Sequence, residues 1–295
     1  MRVAFIGFGE VASALSAALA ARGAEITAYD VLLEQPGGPE QLTARAAGNK
    51  VAFCGLVDAL RGARYILSTV TTSVAQEAAR RCVPHLGAGQ TYVDLNATDP
   101  GVKLEIERII TPSGAAFVEG AVLGAVGVTG AKTEVLLGGP HARCAERELG
   151  GELGLNVRFY CEDIGKASMF KMLRSVFSKG LEALLIEFLV AGERAGIRDD
   201  LWREVTELMA NHPFEKTAGN WVRSHATAHA RRYHEMKQVA NVLRQLGLEP
   251  TMTAATEAFF RRSGSLELHE RFSAAPATMD EVVRFFNERL PAAPR

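Results

Sequence analysis

Residues 1–30 read MRVAFIGFGEVASALSAALAARGAEITAYD, and their pattern sets the fold. Val3 to Ile6 is an apolar run of strand length. Val11 to Ala21 is a run of good helix formers that ends by Gly23, and Ile26 to Tyr29 is a second β-branched and aromatic run closed by Asp30. Between the first strand and the helix stand Gly7, Gly9 and Ala12 in the spacing G-x-G-x-x-A. Gly7 permits a tight turn, Gly9 lets a pyrophosphate approach the backbone, and Ala12 is small enough for close helix–strand packing. The helix start, Glu10 and Val11, offers free N–H groups and the positive end of the helix dipole to phosphate. A carboxylate at Asp30 is placed to accept both ribose hydroxyls of an adenosine and to repel a 2′-phosphate. Strand, glycines, helix, second strand and acid, in this order, predict a dinucleotide site formed by Gly7, Phe8, Gly9, Glu10, Val11 and Asp30. NAD is the expected cofactor and NADP the alternative, since Val31 and Leu32 follow Asp30 where an arginine would favour the phosphate.

The composition sets limits. The 295 residues are 47% hydrophobic and 23% charged, an ordinary globular profile with length enough for two domains. A formal net charge of −1 gives no basic field for nucleic acid, and the arginine pairs at 80–81, 231–232 and 261–262 are scattered. No apolar run reaches about 18 residues, so no membrane span is expected. The N-terminal residues already form a strand and loop, which leaves no room for a signal peptide. Cys54, Cys82, Cys144 and Cys161 have no C-x-x-C spacing and are expected as reduced thiols of a cytoplasmic protein.

Beyond Asp30, strand-length runs at Val51–Cys54, Tyr65–Val70, Gln90–Leu95, Ala115–Glu119, Thr133–Gly138 and Val157–Tyr160 alternate with helical stretches. The alternation predicts an α/β fold, a Rossmann-type doubly wound and mostly parallel sheet covered on both faces. Ligands of such sheets bind beyond the carboxyl ends of the strands. The loops after Ile6, Val70 (opening with Thr71), Leu95 (opening with Asn96) and Glu119 are therefore expected around one crevice. From Gly165 the strand signals stop. Lys166–Ala195 is one long helical stretch, Asp199 is the expected N-cap of a helix to Asn211, and Pro213 breaks the pattern. Helices at Ser224–Leu246, Ala254–Arg262 and Met279–Leu290 complete the chain. The expected domains are 1–163, a dinucleotide-binding Rossmann domain, and 164–295, an all-α C-terminal domain for substrate binding and dimerisation. Val239, Leu243 and Leu246 mark the apolar face expected to join a homodimer.

On the long helix, Lys171, Ser175, Ser178 and Glu182 recur every three to four residues and share one stripe beside a wide apolar face. The solvent face of an amphipathic helix accounts for such a stripe. A stripe turned toward the crevice would instead make Lys171 a partly desolvated general acid or base.

The chain resembles the β-hydroxyacid dehydrogenases, a superfamily that also holds 6-phosphogluconate dehydrogenase and some imine reductases. The resemblance spans nearly the whole length. Gly7-Phe8-Gly9-Glu10-Val11-Ala12 is similar to that family's cofactor loop, and Asp94-Leu95-Asn96-Ala97-Thr98-Asp99-Pro100 to its D-x-S-T-x-x-P segment. Glu119-Gly120-Ala121-Val122-Leu123-Gly124-Ala125 resembles its substrate motif, D-A-P-V-S-G-G. Gly165 to Ser175 resembles G-x-G-x-x-x-K-x-x-N-N, which supplies the catalytic lysine. Within the superfamily the chain looks most like a divergent 6-phosphogluconate-dehydrogenase-like group whose C-terminal signature resembles His229 to Met236.

The resemblance implies an NAD(P)-dependent oxidoreductase that moves hydride between a nicotinamide and a small polar substrate, a hydroxy acid or a sugar-acid-like alcohol. Lys171 would be the general acid/base. Val70, Thr71 and Asn96 would lie against the cofactor, and Leu123, Gly124 and Ser175 at the substrate. The departures matter: Leu123 stands at the family's carboxylate-binding serine and Ser175 at its asparagine. They keep two alternatives open, imine reductase-type chemistry and a non-catalytic dinucleotide-binding sensor. His225 and His229 share a helix face, but HEMKQ is not H-E-x-x-H, so no metal is expected.

Overall fold

The computed structural model describes residues 1–290. The chain divides into two compact units, Met1–Val176 and a unit that starts at Phe177. The first holds eight strands, β1 (Arg2–Ile6), β2 (Glu25–Tyr29), β3 (Val51–Phe53), β4 (Tyr65–Ser68), β5 (Thr91–Asp94), β6 (Ala116–Leu123), β7 (Glu134–Gly138) and β8 (Val157–Cys161). They form one sheet in the order β3-β2-β1-β4-β5-β6-β7-β8. All neighbours are parallel except β6 and β7. The strand order reverses beside β1, between β2 and β4, and this switch point is where a doubly wound sheet opens a crevice for ligands.

The central strands are buried on both faces and so are almost wholly apolar: Val3, Ala4 and Phe5 of β1 and Ile66 and Leu67 of β4 have essentially no exposed surface. One face carries α1 (Glu10–Ala21), whose Ala12, Leu15 and Leu19 meet Val3 and Phe5, together with α2 (Gly38–Arg45). The other carries α3 (Leu56–Leu60), α4 (Ala75–Cys82) and α5 (Pro100–Ile110), whose Ile106 and Ile110 pack with Ile66 and Tyr92. Short helices α6 (Val126–Thr129) and α7 (Ala142–Ala145) link the last strands.

Helix α8 (Lys166–Ala195) begins in the first unit and continues into the second, which is otherwise built of α9 (Arg198–Asn211), α10 (Phe214–Gln245), α11 (Thr251–Gly264), α12 (Leu268–Arg271) and α13 (Met279–Arg289). Its core gathers Ala226, Leu268, Phe272, Val282 and Phe285. Three local expectations change. Helix α10 starts at Phe214, not Ser224: Pro213 stands just before it, where the missing N–H costs nothing. Asp199 sits inside the first turn of α9 with Asp200, favoured by the dipole, and makes no side-chain cap. Leu243 is buried in the helical unit, so it is unavailable to the dimer face assigned to it, whereas Val239 remains 40% exposed.

Candidate active site

The turn from β1 into α1 is fixed by the protein itself. Gly7 has φ +82°, and a Cβ there would stand 2.8 Å from Val70 Cγ1 and 2.9 Å from the Thr69 carbonyl oxygen. Its N–H donates to the Tyr29 carbonyl at 2.8 Å. Gly9 differs: nothing lies within 4 Å of the position its Cβ would take. The fold does not demand a glycine at 9, whereas a ligand lying against the backbone does. The Phe8 ring is buried against Phe5 and Phe53, so Phe8 offers the site only its backbone. Its N–H donates to Asp30 Oδ2 at 2.7 Å, and the Leu32 N–H donates to Asp30 Oδ1 at 2.9 Å. Asp30 therefore locks the glycine loop to the end of β2, and each of its oxygens retains acceptor capacity for a ribose hydroxyl.

Gly7, Gly9, Asp30, Val70 and Thr71 line a cavity of about 460 Å³. Two residues that sequence reading passed over line it as well. Arg45, at the end of α2, donates from Nη1 to the Phe8 carbonyl at 3.4 Å. Arg81, on α4, donates from Nη2 to the Tyr29 hydroxyl at 2.8 Å, and its guanidinium lies 5.3 Å from the centre of that ring. Both come from helices remote in sequence from Asp30, which is why no local motif announced them.

A second cavity, of about 500 Å³, shares Thr69, Val70 and Thr71 with the first. Glu10, Val11, Asn96, Gly124 and Lys171 line it. Among the described residues Lys171 is the only cation of the lining, and burial, followed by the charge of Lys103, lowers its pKa below the usual lysine value. The structure thus brings Lys171 together with the loops after β1, β4, β5 and β6.

Two residues assigned to the substrate lie elsewhere. Leu123 does not line the cavity; it packs with Ala121, Leu136 and Ala167. Side chains alternate across a strand, so the turn of Val122 and Gly124 toward the cavity sends Leu123 to the other face. Ser175 donates its hydroxyl to the Lys171 carbonyl at 3.1 Å and is likewise absent from the lining. This is the back-bond a serine makes inside a helix.

The helix carrying Lys171 is anchored by Glu119, a fully buried carboxyl group on β6. Glu119 Oε1 accepts the N–H groups of Gly165 (2.8 Å) and Ala167 (2.9 Å), and Oε2 accepts the Ser168 hydroxyl at 2.9 Å. The carboxyl satisfies the free donors at the start of α8 and meets the positive end of its dipole. Opposite it on β7 stands Gly138, where a Cβ would come within 2.6 Å of Glu119 Oε1.

A family model described as NADP oxidoreductase, coenzyme F420-dependent, matches residues 2–98, and a domain of unknown function (DUF1932) matches residues 193–263. The chain is 32% identical to a conserved protein of unknown function whose solved structure is described as similar to 3-hydroxyacid dehydrogenases. The match covers 92% of this chain and 97% of the other, with a TM-score of 0.60. The chain belongs to the β-hydroxyacid dehydrogenase and 6-phosphogluconate dehydrogenase-like superfamily. The chain is also similar to glyoxylate/succinic semialdehyde reductase 1 of Arabidopsis thaliana, 24% identical over 98% of this chain and 100% of its own. The fold is also that of an imine reductase from Myxococcus stipitatus solved with NADP⁺, 16% identical over 97% of this chain and 100% of the other at a TM-score of 0.75. The protein is an NAD(P)-dependent oxidoreductase of the hydroxyacid dehydrogenase fold.

Proposed function

We propose that the protein is a dehydrogenase or reductase that interconverts a hydroxyl and a carbonyl on a small polar substrate, a hydroxy acid or sugar-acid-like alcohol, with Lys171 as general acid/base. The carrying observation is the placement of Lys171 in a cavity that shares Thr69, Val70 and Thr71 with the one lined by Gly7, Gly9 and Asp30. The bound nicotinamide supplies a hydride acceptor or donor. Lys171, in its amine form, takes the proton of a substrate hydroxyl during oxidation. In its ammonium form it stabilises the developing alkoxide and returns the proton during reduction. Leu95, Val122 and Val126 give that cavity apolar walls. Binding titrations with NAD⁺ and NADP⁺, followed by a panel of hydroxy acids, sugar acids and imines read at the nicotinamide absorbance band, test this reading. Binding without turnover on the whole panel would support the sensor instead. Turnover on imines alone would support the imine-reductase chemistry.

The sign of the pH dependence follows from the lowered pKa of Lys171. The oxidation rate should fall as pH drops through that pKa, because the base becomes protonated. The reduction rate should fall as pH rises through it. Both limbs should lie below the ordinary lysine range and disappear from Lys171→Ala; limbs that persist in the variant would assign them to another group.

The cofactor preference rests on Asp30, which favours NAD. Asp30→Ala should weaken NAD⁺ more than NADP⁺ in a binding titration, and an unchanged ratio would remove Asp30 from the choice. A second reading, NADP, is favoured by Arg45 and Arg81 in the same cavity, since guanidinium groups there suit a 2′-phosphate. On that reading Arg45→Ala or Arg81→Ala would weaken NADP⁺ selectively.

We further propose that the active form is a homodimer joined through the helical unit. Phe177, Ile186, Trp202, Phe214 and Trp221 are each at least 45% exposed, an unusual load for a unit that stays alone in water. Light scattering should give twice the chain mass, and Trp202→Glu combined with Phe214→Glu should give one; a monomeric wild type would refute it.

A further inference from the structure

We propose that Glu10 is a specificity-determining residue of the cavity that holds Lys171, and that this cavity takes alcohols carrying a protonated amine, such as an amino alcohol or an amino-sugar acid. The inference rests on the reading of this cavity as the substrate site and narrows the alcohol of that reading.

Glu10 stands in the first turn of α1. It lines the cavity that holds Lys171 and not the one lined by Gly7, Gly9 and Asp30, so its charge belongs to the substrate side. Among the described residues its carboxylate has neither a hydrogen-bond nor an ion-pair partner. The neighbouring backbone leaves room for it: a Cβ on Gly127, in α6, would collide with Glu10 Oε1, and Ala125 and Val126 just before that glycine line the same cavity. A helix dipole favours an acid in the first turn. The pyrophosphate expected at the same turn repels one. The two effects oppose each other, and helix stability gives little reason for a carboxylate here.

Asn96, on the same lining, adds a second acceptor. Its Nδ2 donates to Ser68 Oγ at 3.0 Å and to Asp94 Oδ1, which uses both amide hydrogens. Its Oδ1 is buried and has no partner among the described residues. An acceptor left so is satisfied when a ligand brings a donor. A carboxylate and an amide oxygen on one lining favour a group with several donors and a positive charge, and an ammonium has both. A cation in the cavity also disfavours the ammonium form of Lys171. Binding of such a substrate therefore keeps Lys171 in the amine form, which takes the hydroxyl proton in oxidation.

Calorimetry on the intact protein saturated with reduced cofactor measures alcohol binding without turnover. Two matched pairs serve as probes, 2-aminopropane-1,3-diol against glycerol and 2-amino-2-deoxygluconate against gluconate; in each, one amine replaces one hydroxyl. The amine member is expected to bind about fivefold more tightly. Glu10→Gln keeps the shape, removes the charge and should erase that preference while glycerol affinity stays the same. Glu10→Lys should invert it, and Glu10→Asp should keep part of it. Gly127→Ala displaces the carboxylate without removing a charge and should weaken the preference; it carries the test if the Glu10 variants lose the cofactor, which a cofactor titration reports. No amine preference in either pair, absence of all binding included, would overturn the proposal, and so would a preference that survives Glu10→Gln unchanged. Turnover that survives Lys171→Ala would instead overturn the acid/base reading and leave these affinities as predicted.

Discussion

Lys171→Ala is expected to lower turnover at least ~100-fold, the low end for removal of a general acid/base, while cofactor affinity stays almost unchanged. The separation follows from the geometry. Lys171 lines the cavity that reaches Asn96 and Gly124, whereas the glycine loop and Asp30 line the adjoining one. Removing the amine leaves the cofactor contacts in place and takes away the cation that would hold a developing alkoxide there. Lys171→Arg is the sharper control. A guanidinium keeps the charge but does not give up its proton near neutral pH, so oxidation should be lost more completely than binding of an acidic inhibitor. Near-normal turnover in Lys171→Ala would remove Lys171 from the mechanism.

Glu119→Ala is expected to be the most destabilising single change near the site, by roughly 3 kcal/mol or more, because several buried donors lose their acceptor at once. The N–H groups of Gly165 and Ala167 would face a void beside Gly138, and the Ser168 hydroxyl would keep only the Gly165 carbonyl as acceptor. Helix α8 would lose the anchor that fixes its first turn, and Lys171 follows little more than one turn later. Denaturant unfolding gives the stability, and a residual fold should show weakened turnover with cofactor binding retained. A loss under about 1 kcal/mol would mean that the start of α8 is held by packing rather than by this carboxyl.

Features written in consecutive residues were legible before the fold was known. The glycine loop is such a feature because turn, phosphate approach and helix start follow one another within a few positions. Lys171 stood out because helical spacing put it on a stripe and the family resemblance gave that stripe a role. What escaped depends on contacts between distant segments. Arg45 and Arg81 reach the Asp30 cavity from α2 and α4. Lys103 reads as an ordinary helix lysine, although it shares with Ile106 and Ile110 the spacing of a buried face. That a charge on this face would be paired became clear only with Asp94 in place. Leu123 and Ser175 show the converse: matching a family motif by position does not fix side-chain direction. A strand's alternation turned the first away, and a back-bond within the helix occupied the second.

The most direct measurement of the central claim is transfer of deuterium from reduced cofactor labelled at the nicotinamide C4 to the product carbon, over a panel of oxo acids, sugar-derived carbonyls and imines. The expected result is label on the carbon of a new hydroxyl, with the transfer rate cut at least ~100-fold in Lys171→Ala. Tight cofactor binding with no label transferred to any member of the panel would contradict it.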